Sequence, residues 1–148
     1  MTSSSPASVL GVDLSPGRPP VLQAQAGDAL GWAAGHRDVL RAVVAEHGCV
    51  MVRGLGLHDV AGAGAVFQRL ATGLMTEREA FAARERHPGG VYSSSKWPPN
   101  QQMCMHHELS YALEFPGLMM FACLTAPAGG GATAVADASA VLAALPAE

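Results

Sequence analysis

The sequence predicts an α+β fold, and three observations support this class. The 148 residues are 49% hydrophobic and 14% charged, which is typical of one globular domain that buries a core. Residues 36–48, HRDVLRAVVAEHG, have the apolar spacing of a helix that Gly48 ends. The next segment, CVMVRGL, is apolar and β-branched, which predicts a buried strand.

Charge and targeting patterns exclude several classes of protein. The net charge is −3, and no cluster of lysine or arginine indicates nucleic-acid binding. The N-terminus lacks the basic and apolar regions of a secretory signal, and no apolar run approaches the ~18 residues that span a bilayer. Cys49, Cys104 and Cys123 have no CxxC spacing and suit reduced thiols. We therefore expect a cytoplasmic protein with neither a nucleic-acid nor a membrane partner.

The first 102 residues predict an arm followed by helices and turns. Residues 1–20 are rich in Ser, Pro and Gly and predict a flexible N-terminal arm before a domain at 21–148. The segment HDVAGAGAVFQRLATGL predicts a second helix, and EREAFAARER predicts a solvated helix face before a Pro-Gly-Gly turn. The segment VYSSSKWPPNQQ predicts extended chain and then a loop, because two successive prolines exclude a helix.

The last third of the chain predicts strands and one helix. MCMHHELSY and GLMMFACLT contain residue types that favour strands, and Pro116-Gly117 separates them. APAGGGAT predicts a loop. The final segment predicts a short strand, then a helix that Asp137 caps and Pro146 ends.

The segment MCMHHELSY carries the candidate chemistry. On a strand, Cys104, His106 and Glu108 share one face, and the backbones of His106 and Glu108 are then separated by roughly 6.6 Å. An imidazole and a carboxylate at this spacing suit Fe(II) or Mn(II), above all in a facial triad of two histidines and one carboxylate.

The residues alone leave three alternatives open. His106 could be a core histidine hydrogen-bonded to Glu108. Cys104, His106 and Cys123 could bind zinc, although the spacing matches no usual zinc pattern. Ser110 could be a hydrolase nucleophile, but the sequence places no histidine and aspartate partners beside it.

A wider set of motifs surrounds the His-x-Glu pair. They are His106-x-Glu108, Ser110-Tyr111, Pro116 before an apolar run that ends at Cys123, Gly130-Gly131-Ala132-Thr133, and Ala136-Asp137. With the upstream helix-Gly-strand order, they resemble the TauD/TfdA-like Fe(II)/2-oxoglutarate-dependent dioxygenases. Within that family the sequence is most similar to the branch of the syringomycin-biosynthesis hydroxylase. The resemblance covers residues 35–148.

This resemblance implies a fold, cofactors and residue roles. The implied fold is part of a double-stranded β-helix, a cupin-like jelly roll, with N-terminal helices. The implied cofactors are Fe(II), the cosubstrate 2-oxoglutarate and O2. His106 and Glu108 match two iron ligands, Thr133 matches a threonine that contacts 2-oxoglutarate, and Gln102 lies where relatives place a residue that contacts substrate. His107 stands where many relatives carry asparagine.

The resemblance also implies a reaction. Relatives that halogenate replace the acid with a small residue, so Glu108 favours hydroxylation or desaturation. The implied substrate is an amino-acid-like molecule of natural-product biosynthesis, either free or tethered to a carrier protein. Oxidative decarboxylation of 2-oxoglutarate to succinate and carbon dioxide would drive the reaction.

The family pattern is incomplete in this sequence. Relatives carry a third ligand histidine and a 2-oxoglutarate-binding arginine downstream, whereas no histidine or arginine follows Glu108 here. We therefore expect the N-terminal part of an oxygenase, which would need a missing C-terminal half or a homo-oligomer for activity. The alternative is an inactive remnant that serves as a small binding or dimerising module. If the 148 residues are the entire polypeptide, we expect an exposed half-core that serves as an aggregation or partner-binding surface.

Overall fold

The computed structural model describes residues 10–76, 82–98 and 100–146, which have a mixed α/β architecture. The helices in these ranges are α1 Ala29–His47, α2 Val60–Leu70 and α3 Ala138–Ala143. The strands are β1 Val21–Gln23, β2 Met51–Arg53, β3 Arg86–His87 and β4 Val91–Tyr92.

Helix α1 confirms the predicted helix and begins earlier than the periodic segment. The Asp28 side chain accepts a hydrogen bond from the Leu30 amide at 3.0 Å, which caps the helix N-terminus well ahead of His36. Gly48 ends the helix in the left-handed conformation, with φ +77°, and its amide donates to the Val44 carbonyl at 2.7 Å.

Strand β2 confirms the strand predicted in CVMVRGL, but the prediction that it is buried is wrong. It pairs in parallel with β1, Leu22 opposite Val52, and α1 connects the two strands. In the described chain this sheet has only these two strands, so it covers little of β2. Met51 is consequently 40% exposed.

The core lies where α1 packs against α2, and buried residues of β1 and the position after it add to it. Asp59 caps α2 through the Gly62 amide, and α2 confirms the second predicted helix. Arg37 of α1 donates from Nε to the Leu70 carbonyl at 3.3 Å, which ties the C-terminal end of α2 to α1. The buried apolar residues of the described chain are Leu22, Ala24, Ala33, Leu40, Val43, Ala63 and Val66.

Strands β3 and β4 form a hairpin around the predicted Pro-Gly-Gly turn. Arg86 pairs with Tyr92 in the antiparallel register, and Gly89 and Gly90 both have positive φ, which the turn requires. Residues 93–98 lack regular secondary structure, as predicted from their prolines. The predicted helix face at 77–86 lies partly outside the described residues, as does the predicted arm at 1–20, of which Asp13 pairs with Val21.

The strands predicted in the last third of the chain are wrong. Residues 100–137 contain no strand, whether in MCMHHELSY, in GLMMFACLT or before Asp137. Strand-favouring residues form a strand only where a neighbouring strand pairs with their backbone, and the described chain supplies none here. Asp137 caps α3 as predicted, although α3 ends at Ala143, three residues before Pro146.

The described residues do not confirm a jelly roll. They form two separate two-stranded sheets, one parallel and one antiparallel. Among the same residues, no helix combines the length and apolarity that a bilayer crossing requires.

Candidate functional site

The segment with the His-x-Glu pair is an irregular chain that follows the β3–β4 hairpin. The Trp97 indole Nε1 donates to the Gln101 carbonyl at 3.0 Å, which ties the start of this segment to the preceding loop. A turn follows over residues 108–111, where the Ala112 amide donates to the Leu109 carbonyl at 2.9 Å. Leu109 has φ +53°, a left-handed conformation that strains any residue with a side chain.

His106 and Glu108 face each other across this segment. His106 Nε2 lies 3.9 Å from Glu108 Oε2. The strand on which we predicted this pairing is absent, and the two groups instead approach each other in irregular chain that leads into the turn at 108–111. The structure does not support the alternative in which His106 is a core histidine, because its side chain is 53% exposed; the Glu108 side chain is 23% exposed.

The hydrogen bond of His106 favours one tautomer of its neutral ring. Nδ1 lies 2.8 Å from the Cys104 carbonyl oxygen. A carbonyl oxygen only accepts, so Nδ1 carries the hydrogen and donates it. In the neutral ring Nε2 is then the bare nitrogen, and it is Nε2 that faces Glu108. Metal-binding histidines commonly use this arrangement, in which a backbone carbonyl holds the nitrogen that does not bind the metal.

Arg84 contacts the same carboxylate from the other side. Its terminal nitrogen donates to Glu108 Oε1 at 3.1 Å, and its Nε donates to Ser95 Oγ at 3.0 Å. Sequence reasoning missed both residues and assigned Arg84 to a solvated helix face. That assignment is wrong, because the Arg84 side chain is only 24% exposed. The contact joins residues 24 positions apart, a separation at which no local spacing rule applies.

The other sequence candidates lie on the surface of irregular segments. Gln102 and Thr133 are exposed, and the described chain shows no hydrogen bond from either side chain. Cys104 and Cys123 are exposed free thiols. Across the described ranges no three residues of the types His, Cys, Asp and Glu come together to hold a metal, so the structure does not assemble the zinc site considered above.

The two helices border two clefts, of about 310 Å³ and 330 Å³. The first lies at the N-termini of α1 and α2, where Asp28 and Asp59 cap the helices. The second is lined by Leu30 of α1 and by residues of α2. None of the predicted site residues lines either cleft.

The donor atoms of His106 and Glu108 fit a divalent metal. They offer a bare imidazole nitrogen and a carboxylate oxygen, which are two of the three donors in a facial triad. Metal–ligand distances of about 2.0–2.2 Å place two adjacent donors about 3 Å apart. The observed separation of 3.9 Å between His106 Nε2 and Glu108 Oε2 exceeds this value by about 1 Å.

Two curated proteins match the chain. One is the dapdiamide synthesis protein DdaC of Enterobacter agglomerans, 28% identical over 100 residues, which cover 68% of this chain and 30% of that protein. The other is a clavaminate synthase-like protein of Arabidopsis thaliana, 27% identical over 99 residues, which cover 67% of this chain and 30% of that protein. No solved structure matches the chain significantly.

A family model gives the broadest comparison. The model described as taurine catabolism dioxygenase TauD, TfdA family, matches residues 14–148, which include both helices of the core and the His-x-Glu segment. The chain spans about 30% of the length of the two curated relatives. Since the family match extends over most of the sequence, this chain belongs to the TauD/TfdA dioxygenase family.

Proposed function

We propose that this chain contributes the metal-binding segment of an Fe(II)/2-oxoglutarate-dependent oxygenase. The observation that carries the proposal is the orientation of His106, whose Nε2 faces Glu108 Oε2 at 3.9 Å while its Nδ1 lies 2.8 Å from the Cys104 carbonyl oxygen. Family membership supports the choice of iron over zinc. A jelly roll completed by further polypeptide is part of this proposal.

Four side chains have roles in the proposed reaction. His106 Nε2 and Glu108 Oε2 would hold the metal. The Thr133 hydroxyl would donate a hydrogen bond to a carboxylate of 2-oxoglutarate, and Gln102 would orient the substrate. When bound, Fe(II) would supply the oxidising chemistry, which consumes O2 and 2-oxoglutarate.

The residues that follow Glu108 include no histidine or arginine. They therefore cannot supply the third ligand histidine or the arginine for 2-oxoglutarate that the proposed site needs. We propose that further polypeptide, or a second subunit, supplies the third ligand and the arginine for 2-oxoglutarate. The same polypeptide would cover the exposed face of His106 and exclude water from the metal.

The proposed substrate is an amino-acid-like molecule, either free or tethered to a carrier protein. The name of one relative, which refers to dapdiamide synthesis, supports a biosynthetic role. Glu108 occupies the position of the acidic ligand, so hydroxylation is proposed in preference to halogenation.

Anaerobic titration with Mn(II), a redox-stable substitute for Fe(II), tests the proposal. Bound Mn(II) is measured by the loss of its free electron paramagnetic resonance signal. We expect His106→Ala to weaken binding at least about 10-fold, because one of the two proposed donors in the described chain is removed. His107→Ala is the matched control, since it removes an exposed imidazole one residue away, and it should leave the affinity unchanged.

The competing hypothesis is an inactive binding or dimerising module. The exposed side chains of Leu113, Phe115 and Phe121 favour it, since apolar surface of this kind is typical of an interface. This hypothesis requires no metal. Equal Mn(II) affinities of the His106→Ala variant and the unmodified chain would therefore contradict the oxygenase proposal.

A further inference from the structure

We propose that Arg84 is a positioning residue for Glu108, which it holds so that one carboxylate oxygen alone is presented to the metal. This inference rests on the proposed function, because it assigns Arg84 to the same site. It adds a residue from a distant segment to the His-x-Glu motif.

The two oxygens of Glu108 have different partners. Oε1 accepts a hydrogen bond from the Arg84 guanidinium at 3.1 Å, whereas Oε2 lies 3.9 Å from His106 Nε2. A carboxylate held in this way cannot rotate freely about its terminal bond. Oε1 is engaged by the arginine, and Oε2 is left on the side of the bare imidazole nitrogen. Glu108 is thereby set up as a ligand through a single oxygen.

Ser95 fixes the direction from which Arg84 approaches. The guanidinium is planar, and its N–H groups point in fixed directions. The bond from Arg84 Nε to Ser95 Oγ, at 3.0 Å, therefore sets the plane in which the terminal nitrogen reaches Glu108. Ser95 follows β4 and Arg84 precedes β3, so the hairpin connects both to one short unit.

The geometry of the Arg84–Glu108 contact suits a role in orienting the Glu108 carboxylate more than a role in stabilising the fold. The side chains of Arg84 and Glu108 are half-buried, at 24% and 23% exposed, so the contact can hold a fixed geometry while solvent still screens part of its charge. Groups that hydrogen-bond to a metal ligand orient it, and their removal typically costs about 10–100-fold in metal affinity.

A purely electrostatic role for Arg84 would have the opposite effect. A cation beside the site repels a divalent metal, so removal of the charge alone would tighten binding. The sign of the change in affinity therefore separates positioning from competition with the metal.

Mn(II) titration of the Arg84→Met variant tests the inference. We expect its affinity to be about 10–100-fold lower than that of the unmodified chain. Arg86→Met is the matched control, since it removes an equal charge from an exposed side chain two residues away, and it should change the affinity less than about 2-fold. Ser95→Ala keeps the Arg84 charge but removes the hydroxyl that accepts from Arg84 Nε. We expect this variant to lose Mn(II) affinity too, but less than Arg84→Met. Unchanged or tighter binding by Arg84→Met would overturn the inference.

A second measurement needs no metal and separates this inference from the proposed function. Three-bond NMR couplings report whether the Glu108 side chain occupies one rotamer about its Cα–Cβ and Cβ–Cγ bonds. The contact with Arg84 requires a single rotamer about both. We expect a single rotamer in the unmodified chain and in Arg86→Met, and averaged couplings in Arg84→Met. If no variant binds Mn(II) while this pattern holds, the proposed function fails and the positioning contact stands. Averaged Glu108 couplings in the unmodified chain would refute the contact itself, whether or not Mn(II) binds.

Discussion

At the scale of the residue, the site depends on one strained backbone position. Leu109 follows the candidate ligand Glu108 with φ +53°, a conformation that costs about 1–2 kcal/mol for a residue with a Cβ. It begins the turn whose amide–carbonyl bond runs from Ala112 back to Leu109. Strain of this kind concentrates at functional sites, where the surrounding structure must hold it.

A second backbone position, Gly54, supports the parallel sheet. It has φ +81°, and a Cβ there would overlap the Ala24 carbonyl oxygen, next to the bond from the Ala24 amide to the Arg53 carbonyl. We expect Gly54→Ala to lower the free energy of unfolding by about 2–4 kcal/mol, because the steric overlap adds to the conformational cost.

The matched control for this prediction is Gly56→Ala. Gly56 also has positive φ, +67°, but no atom lies within 4 Å of the position that an alanine methyl group would occupy. The expected loss is only the conformational cost of about 1 kcal/mol. Urea denaturation of both variants measures the difference, and equal losses would show that the Ala24 carbonyl does not constrain Gly54.

The spacing of His106 and Glu108 was enough to predict that the two side chains lie close together, because they are two residues apart. The spacing was not enough to predict the backbone conformation in which they approach each other. The two side chains lie 3.9 Å apart in irregular chain and not on a strand face. The contact from Arg84 depends on the path of the chain between residues 84 and 108, which no local pattern encodes. The roles of Gln102 and Thr133 stay predictions.

At the scale of the element, the helices α1, α2 and α3 followed from the sequence, whereas most of the predicted strands, with the exception of β2, did not form. Asp28 and Gly48 cap the two ends of α1, and each forms its hydrogen bond with a residue only a few positions away in the sequence. The ends of this helix are therefore determined locally. A strand depends on a partner elsewhere in the chain. Residues 117–123, GLMMFAC, favour strands by composition, yet they remain irregular without a partner among the described residues.

Packing between α1 and α2 gives a testable contrast at this scale. Leu40 of α1 is 6% exposed, whereas Leu113 in the irregular segment is 102% exposed. We expect Leu40→Ala to lower the free energy of unfolding by about 2–5 kcal/mol, since it leaves a cavity. Leu113→Ala makes the same chemical change without loss of burial and should alter it by less than about 0.5 kcal/mol. A large effect of Leu113→Ala in thermal denaturation would mean that the segment packs against another surface.

At the scale of the whole molecule, apolar residues are distributed unevenly between core and surface. The buried residues of the described chain all lie between Pro20 and Val66. Every described residue from 100 to 146 is exposed or half-buried, including Phe115 and Phe121. A hydrophobic fraction of 49% predicted a sizeable core, but composition does not determine which apolar residues find a covering surface.

This uneven packing predicts uneven protection of backbone amides from hydrogen exchange. The amides of α1 around Val43 are in helical hydrogen bonds and beside fully buried side chains. Between Gly117 and Cys123 no backbone amide donates to another group of the described chain. We expect the amides of α1 to exchange at least about 100-fold more slowly than those of this segment, because slow exchange requires both a hydrogen bond and cooperative opening.

Hydrogen exchange at two protein concentrations completes this test. If residues 117–123 exchange rapidly at both concentrations, the segment is open to solvent in the isolated chain, as the structure indicates. Protection that rises with concentration would show that a second copy covers the apolar side chains Met119 and Phe121, which are 40% and 73% exposed. Protection equal to that of α1 at both concentrations would contradict the exposed arrangement, because amides without a hydrogen-bond acceptor or a covering surface cannot resist exchange.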